Sequence, residues 1–157
     1  MANPFPFATG DVLTAANMNA IGEWYTWTPT FANVSAQPGV KVARYAEVNN
    51  TVFWAVYIDF DGAGTVTGSL NFNAPVPITT AFGSSYFTNG IGWARPDGGT
   101  FYQVTALAIG GIDDIYVYAP QKVANDYLQA SDNVNASTPI TWTSAGELWL
   151  SGYYRAT

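Results

Sequence analysis

A chain of 157 residues is the size of one ordinary domain and long enough to bury about two thirds of its unfolded surface. Its 11 acidic and 5 basic side chains give a formal charge of −6, and the cations (Lys41, Arg44, Arg95, Lys122, Arg155) are scattered along the sequence. No phosphate-tracking patch is expected within one subunit, so nucleic acid is not an expected partner. The absence of cysteine and histidine excludes disulfides, thiolate and imidazole metal sites, and histidine-based catalytic triads.

Aromatics make up 16% of the chain and charged residues only 10%, against about 25% charged in a typical soluble domain. Six Trp, ten Tyr and nine Phe are generous for one small core, and contact with other subunits is one place for the excess. Residues 1–12 alternate two prolines with Phe5 and Phe7, which favours an extended arm lacking amide donors at Pro4 and Pro6. Thr14 is an expected N-cap, Leu13 and Met18 form a hydrophobic staple, and Gly22 follows Ile21 as a stop, which predicts a two-turn helix over 15–21. A helix that short is stable only when docked, either on its own domain or on a neighbouring subunit or larger particle. No basic stretch followed by an apolar run opens the chain and no 18-residue apolar stretch occurs, so neither a secretion signal nor a membrane-spanning helix is expected.

From Trp24 onward the apolar period changes to two. Strands are predicted at 25–31, 40–48, 51–60, 65–72, 90–95, 100–109, 113–118, 140–143 and 147–154. Asn49-Asn50, Asp61-Gly62, Pro96-Asp97-Gly98-Gly99 and Gly110-Gly111 supply the turns. Helices long enough for parallel crossovers are missing, so the expected fold is all-β, an antiparallel sandwich or jelly-roll-like domain of eight or nine strands at 24–157 preceded by an attachment segment at 1–23. The stretches 73–85 and 120–137 are long for simple connections, and a short strand, a helical turn or a surface lid would each fit.

A two-residue loop at Asn49-Asn50 sets Val48 opposite Thr51 and fixes the hairpin faces. Ala43, Tyr45, Val52, Trp54, Val56 and Ile58 form a core face, with Lys41 and Glu47 at its ends. Val42, Arg44, Ala46, Phe53, Ala55 and Tyr57 form an opposite face too apolar to be left in water, to be covered by a second layer of the same subunit or by an identical subunit.

Chemistry is mostly absent. Asp59 and Asp61 would project from one side of a strand about 7 Å apart, a spacing compatible with glycoside hydrolysis, yet a strand ending in Asp-Gly is a common turn. "DFDGAGTVTGSL" begins like a calcium loop but has Ala63 at its fifth position and Leu70 where a bidentate Glu belongs. Asp113-Asp114 most simply caps a turn, and the tripeptides "NVS", "NNT" and "NAS" match the glycosylation pattern in a chain rich in Asn and Thr. No enzyme activity, metal or cofactor is expected. Trp93, Tyr102, Tyr116, Tyr118 and Trp149 could instead form a carbohydrate platform.

The succession of "GDVLTAANMNAIGEW", "WTPTF", "ARYAEVNNTVFWAVYIDF", "IGWARPDGGTFYQVTALAI" and "PITWTSAGELWLSGYY" resembles small virion proteins of tailed bacteriophages. Those relatives often place a Gly in the turn held here by Asn49-Asn50. The resemblance implies a homotrimeric fibre, head-fibre or capsid decoration protein on the virion, assembled in the bacterial cytoplasm, with a short arm and helix before a displayed β domain. On that reading Phe5, Phe7, Leu13, Met18 and Ile21 attach the chain to other virion proteins, and Val42, Phe53 and Tyr57 line the subunit contact. The alternative is a host-surface carbohydrate-binding module using Trp93, Tyr102 and Trp149.

Overall fold

The alternation of apolar and polar residues is realised as ten antiparallel strands in the computed structural model, which describes residues 14, 21–60, 64–79, 86–109, 111–122, 128–137 and 141–157. They are β1 (Tyr25–Thr26), β2 (Phe31–Val34), β3 (Gly39–Val48), β4 (Thr51–Asp59), β5 (Val66–Asn73), β6 (Tyr86–Arg95), β7 (Tyr102–Ile109), β8 (Asp114–Lys122), β9 (Leu128–Asn133) and β10 (Glu147–Arg155). There is no helix among the described residues. The expected arm and helix, with Phe5, Phe7, Leu13 and Met18, lie outside the described residues, while Ile21 is exposed in a turn whose Gly22 has φ +72°.

Where two packed sheets were expected, the strands form one hydrogen-bonded path, β1-β3-β4-β10-β6-β7-β8-β5-β2, with β9 pairing β8 beyond the stretch that pairs β5. The path is curled, and the chain itself requires this. β1 and β2 stand at opposite ends of the order yet are joined through Trp27–Thr30, so the two ends lie within five residues, about 18 Å of extended chain. Laid flat, the eight strand spacings would separate them by about 38 Å. Pro29, which lacks an amide donor, sits in this crossing and explains why the strand predicted at 25–31 splits in two. Trp27 N–H donates to Ala43 O, and Asn73 N–H to Thr30 O, fixing the crossing to both ends of the path.

The concave side holds the core. Val52, Trp54, Val56 and Ile58 are buried as expected, and Trp54 reaches Phe72 of β5 across the curl with ring centroids 5.8 Å apart, although four strands separate β4 from β5 in the order. Phe31 packs on Phe72 at 5.2 Å. The strand predicted at 140–143 is not formed at 141–143. Trp142 instead plugs one end of the core against Phe60, and Thr143 N–H donates to Pro96 O. The long 120–137 stretch contains β9, and Ile78 of the 73–85 stretch makes a single bridge to Ala156.

Register in the β3–β4 hairpin is the one predicted, with Val48 opposite Thr51, until a bulge at Lys41 sets Val40 opposite Ile58 and Val42 opposite Tyr57. Ala46 departs from the expected pattern, being buried although it belongs to the outward set. Asn49 and Asn50 have φ of 49° and 61°, the left-handed pair that a two-residue turn needs. Asn50→Val is therefore expected to cost about 1–2 kcal/mol and Asn50→Gly to be neutral or slightly stabilising, as read by urea unfolding. Tyr154 closes the C-terminal end: its hydroxyl donates to Val76 O at 2.7 Å and accepts from Val76 N–H at 3.1 Å, and burial pushes its ionisation above the ordinary tyrosine range. Tyr154→Phe removes both bonds and leaves the Val76 amide unpartnered, for an expected loss of about 1–3 kcal/mol in thermal or urea melts.

A candidate interaction face

Side chains on the convex side of β4, β10 and β6 are aligned in rows by the strand register. Tyr57, Trp149 and Trp93 form one row, and Ala55, Ser151 and Ile91 the next. Phe53 and Tyr153 follow, with ring centroids 6.2 Å apart. A row of small side chains between two aromatic rows leaves shallow depressions. One of about 540 Å³ is bordered by Val42, Tyr57, Ile91 and Trp93, and another of about 530 Å³ by Trp24, Phe53, Ile91 and Tyr153. Ile91, Trp93, Phe101 and Tyr153 each leave more than half of their surface in water. Such a concentration of apolar surface marks a contact site.

The aromatic row ends in charge. Tyr57 stacks on Trp149 at 4.9 Å with an interplanar angle of 11°, and Phe101 packs on the same indole at 5.9 Å. The Arg95 guanidinium lies 5.5 Å from the centre of the Phe101 ring and forms an ion pair with Glu147. Glu147 also accepts a 3.0 Å hydrogen bond from the Tyr57 hydroxyl through Oε1. Loss of water around that hydroxyl, and then its bond to Glu147 and the carboxylate's charge, raise the Tyr57 ionisation above the ordinary range. The network thus fixes the rings of Tyr57 and Trp149 as a preset platform.

Both sets of residues expected from the sequence converge here. Val42, Phe53 and Tyr57, read as a subunit contact, share this side with Trp93 and Trp149, read as sugar contacts. Tyr102 does not join them: it pairs with the fully buried Ala94 and belongs to the opposite side of the sheet. Tyr116 and Tyr118 are on the convex side but on β8, two strands beyond β6, and half-buried. The period-two reading of the last strand sets Tyr153 on the same face as Trp149, as observed; sequence reasoning missed Ile91, Arg95 and Phe101, although the alternation in "IGWAR" carries the first two.

Folding also gathers the scattered cations. Lys41, Arg44, Arg95 and Arg155 all lie on β3, β6 and β10 along this convex side, accompanied by the carboxylates of Asp59 and Glu147. Lys41 Nζ is 3.8 Å from Asp59 Oδ2. Asp61, the other half of the carboxylate pair considered from the sequence, lies outside the described residues. Asp113 Oδ1 accepts the Ile78 N–H at 2.7 Å, which gives that residue a structural task. No group of three or more His, Cys, Asp or Glu that could hold a metal ion, and no helix long and apolar enough to cross a membrane, is found among the described residues. Comparisons with protein-family models, curated proteins and solved structures find no match to this chain.

Proposed function

We propose that this chain is a non-enzymatic structural protein of a tailed-bacteriophage virion, a homotrimeric fibre or capsid decoration protein that attaches through its N-terminal arm and displays its β domain on the particle. The observation that carries the self-assembling part is the convex face. Its Trp, Tyr, Phe and Arg side chains are the types enriched in the centres of protein interfaces, and its depressions need a complementary surface to exclude water. The virion assignment rests on the ordered stretches of sequence quoted above. In this reading Val42, Phe53 and Tyr57 belong to the subunit contact, while Phe5, Phe7, Leu13, Met18 and Ile21 dock on other virion proteins. At about 25 cal/mol per Å² of apolar area, docking several such side chains contributes several kcal/mol per chain, and three linked chains add avidity.

Light scattering on the full-length protein, beside a chain beginning at Trp24, tests the assembly. A three-chain mass for both is expected. A three-chain mass only with residues 1–23 present would move the contact to the arm, and a one-chain mass for both would reject self-assembly in solution. Detection of the chain in density-purified phage particles tests virion membership, and its absence from them would reject it.

A second reading, a carbohydrate-binding module, is favoured by the depression of about 270 Å³ between Trp93, Phe101 and Trp149, where the exposed rings of Trp93 and Phe101 suit the apolar face of a sugar. Titration calorimetry against a glycan panel should then show binding that Trp93→Ala abolishes. A panel without a single binder removes this reading.

A further inference from the structure

The described surface carries its charge unevenly. The convex side of β3, β4, β10 and β6 holds four cations and two carboxylates, while the chain as a whole has a formal charge of −6. Glu47 pairs with the buried Val52 on the core side, while Asp97, Asp113 and Asp114 lie outside these four strands, Asp114 on β8. Two copies placed convex face to convex face would therefore set two faces of like net charge, each carrying guanidinium groups, against one another. A face seated on another part of the next copy brings them toward carboxylates.

The β7–β8 turn offers the complementary shape. Ile112 leaves 53% of its surface in water at the tip of a turn bent back by Gly111 at φ 81° and Asp113 at φ 57°. Most of the other large apolar residues exposed among the described residues border the depressions of the convex face, Ile21 and Val40 being the exceptions. Ile112 is a branched knob at the tip of its turn, outside those depressions, with Asp113 and Asp114 beside it. Withdrawal from water and the charge of Asp113 push the Asp114 carboxyl above its ordinary range, a repulsion that a nearby guanidinium relieves.

We infer that the convex face of one copy seats the β7–β8 turn of the next, Ile112 entering the depression between Val42, Tyr57, Ile91 and Trp93 while Asp114 approaches Arg44. Arg44 is the natural counter-charge, because Arg95 is already engaged by Glu147 and Phe101. The contact is heterologous: each copy offers its face to one neighbour and its turn to the other, and repetition about an axis closes a ring, the form that a trimer takes. This rests on the self-assembling reading above and specifies how it is achieved.

The test uses full-length protein and light scattering, with circular dichroism to verify folding. Ile91→Asp alters the face and Ile112→Asp the turn, both at exposed positions. Each variant alone is expected to have a one-chain mass. An equal mixture of the two is expected to recover a two-chain complex, since it still contains one unaltered face and one unaltered turn. A wild-type protein that is itself a single chain rejects the self-assembling reading as a whole. A wild-type oligomer that dissolves with Ile91→Asp and persists with Ile112→Asp overturns the turn-in-face contact and leaves face-to-face pairing. Persistence of both variants as oligomers places the contact elsewhere and also overturns it. Should either variant misfold, Arg44→Glu and Asp114→Arg replace them: each alone should dissolve the assembly and the two combined in one chain should restore it, and a combination that stays monomeric overturns the pairing.

Discussion

Gly92→Ala should cost about 3 kcal/mol or more of stability, an exceptional loss for the addition of one methyl group, measured by urea unfolding. A Cβ built at Gly92 falls far inside contact distance of the carbonyl oxygen of Trp149, 2.8 Å from its carbonyl carbon and 2.9 Å from Leu150 Cα. All three are backbone atoms of β10, which is hydrogen-bonded to β4 on one side and β6 on the other, so no rotamer change relieves the clash. The strands must separate or the register must slip. Either movement carries Trp93 away from Trp149, and the assembly contact should be lost with the stability. Gly68→Ala is the control: its Cβ would approach side-chain atoms of Asn33 at 3.2 Å, which can give way, and a loss several-fold smaller is expected. A Gly92→Ala protein within about 1 kcal/mol of wild type would mean that β6 and β10 tolerate a side chain between them, contrary to this packing.

The legible part of the fold was local. The Asn49-Asn50 turn fixed the hairpin register because both positions demand positive φ, and period-two alternation then assigned Trp54 inward and Phe53 outward. The single curled sheet was not legible, since it depends on where strands pair. β10 inserts between β4 and β6, and β8 bonds to β5, β7 and β9, none of which a periodicity encodes. Trp142 misled for the same reason, because "ITWT" reads as an alternating strand while its tryptophan serves as a plug on Phe60. At the site, Val42, Phe53 and Tyr57 followed from one hairpin. Their union with Trp93 and Trp149 required the β4–β10–β6 register, and Tyr102 was misassigned because aromatic identity carries no information about side. The cations show the same limit: spacing along a chain does not measure distance across a sheet.

Trp54→Ala should lower stability by about 3–5 kcal/mol, the range for removing a fully buried indole, with a parallel loss of near-ultraviolet dichroism. The reason is architectural as well as volumetric. Trp54 is 1% exposed, and its contact with Phe72 joins β4 to β5 across the curl, so its removal weakens the packing that holds opposite parts of the sheet together. The indole Nε1 has no hydrogen-bond partner among the described residues, so the ring acts here through shape rather than through its N–H. Trp54→Phe should accordingly cost only about 1–2 kcal/mol, the effect of lost volume without a lost bond. Its neighbours Phe53 and Ala55 point to the convex side, so Trp54→Phe should also retain the wild-type mass in light scattering. If Trp54→Phe proved as damaging as Trp54→Ala, the N–H would have to make a bond that the fold needs, and the closure of the curl would depend on polarity rather than packing.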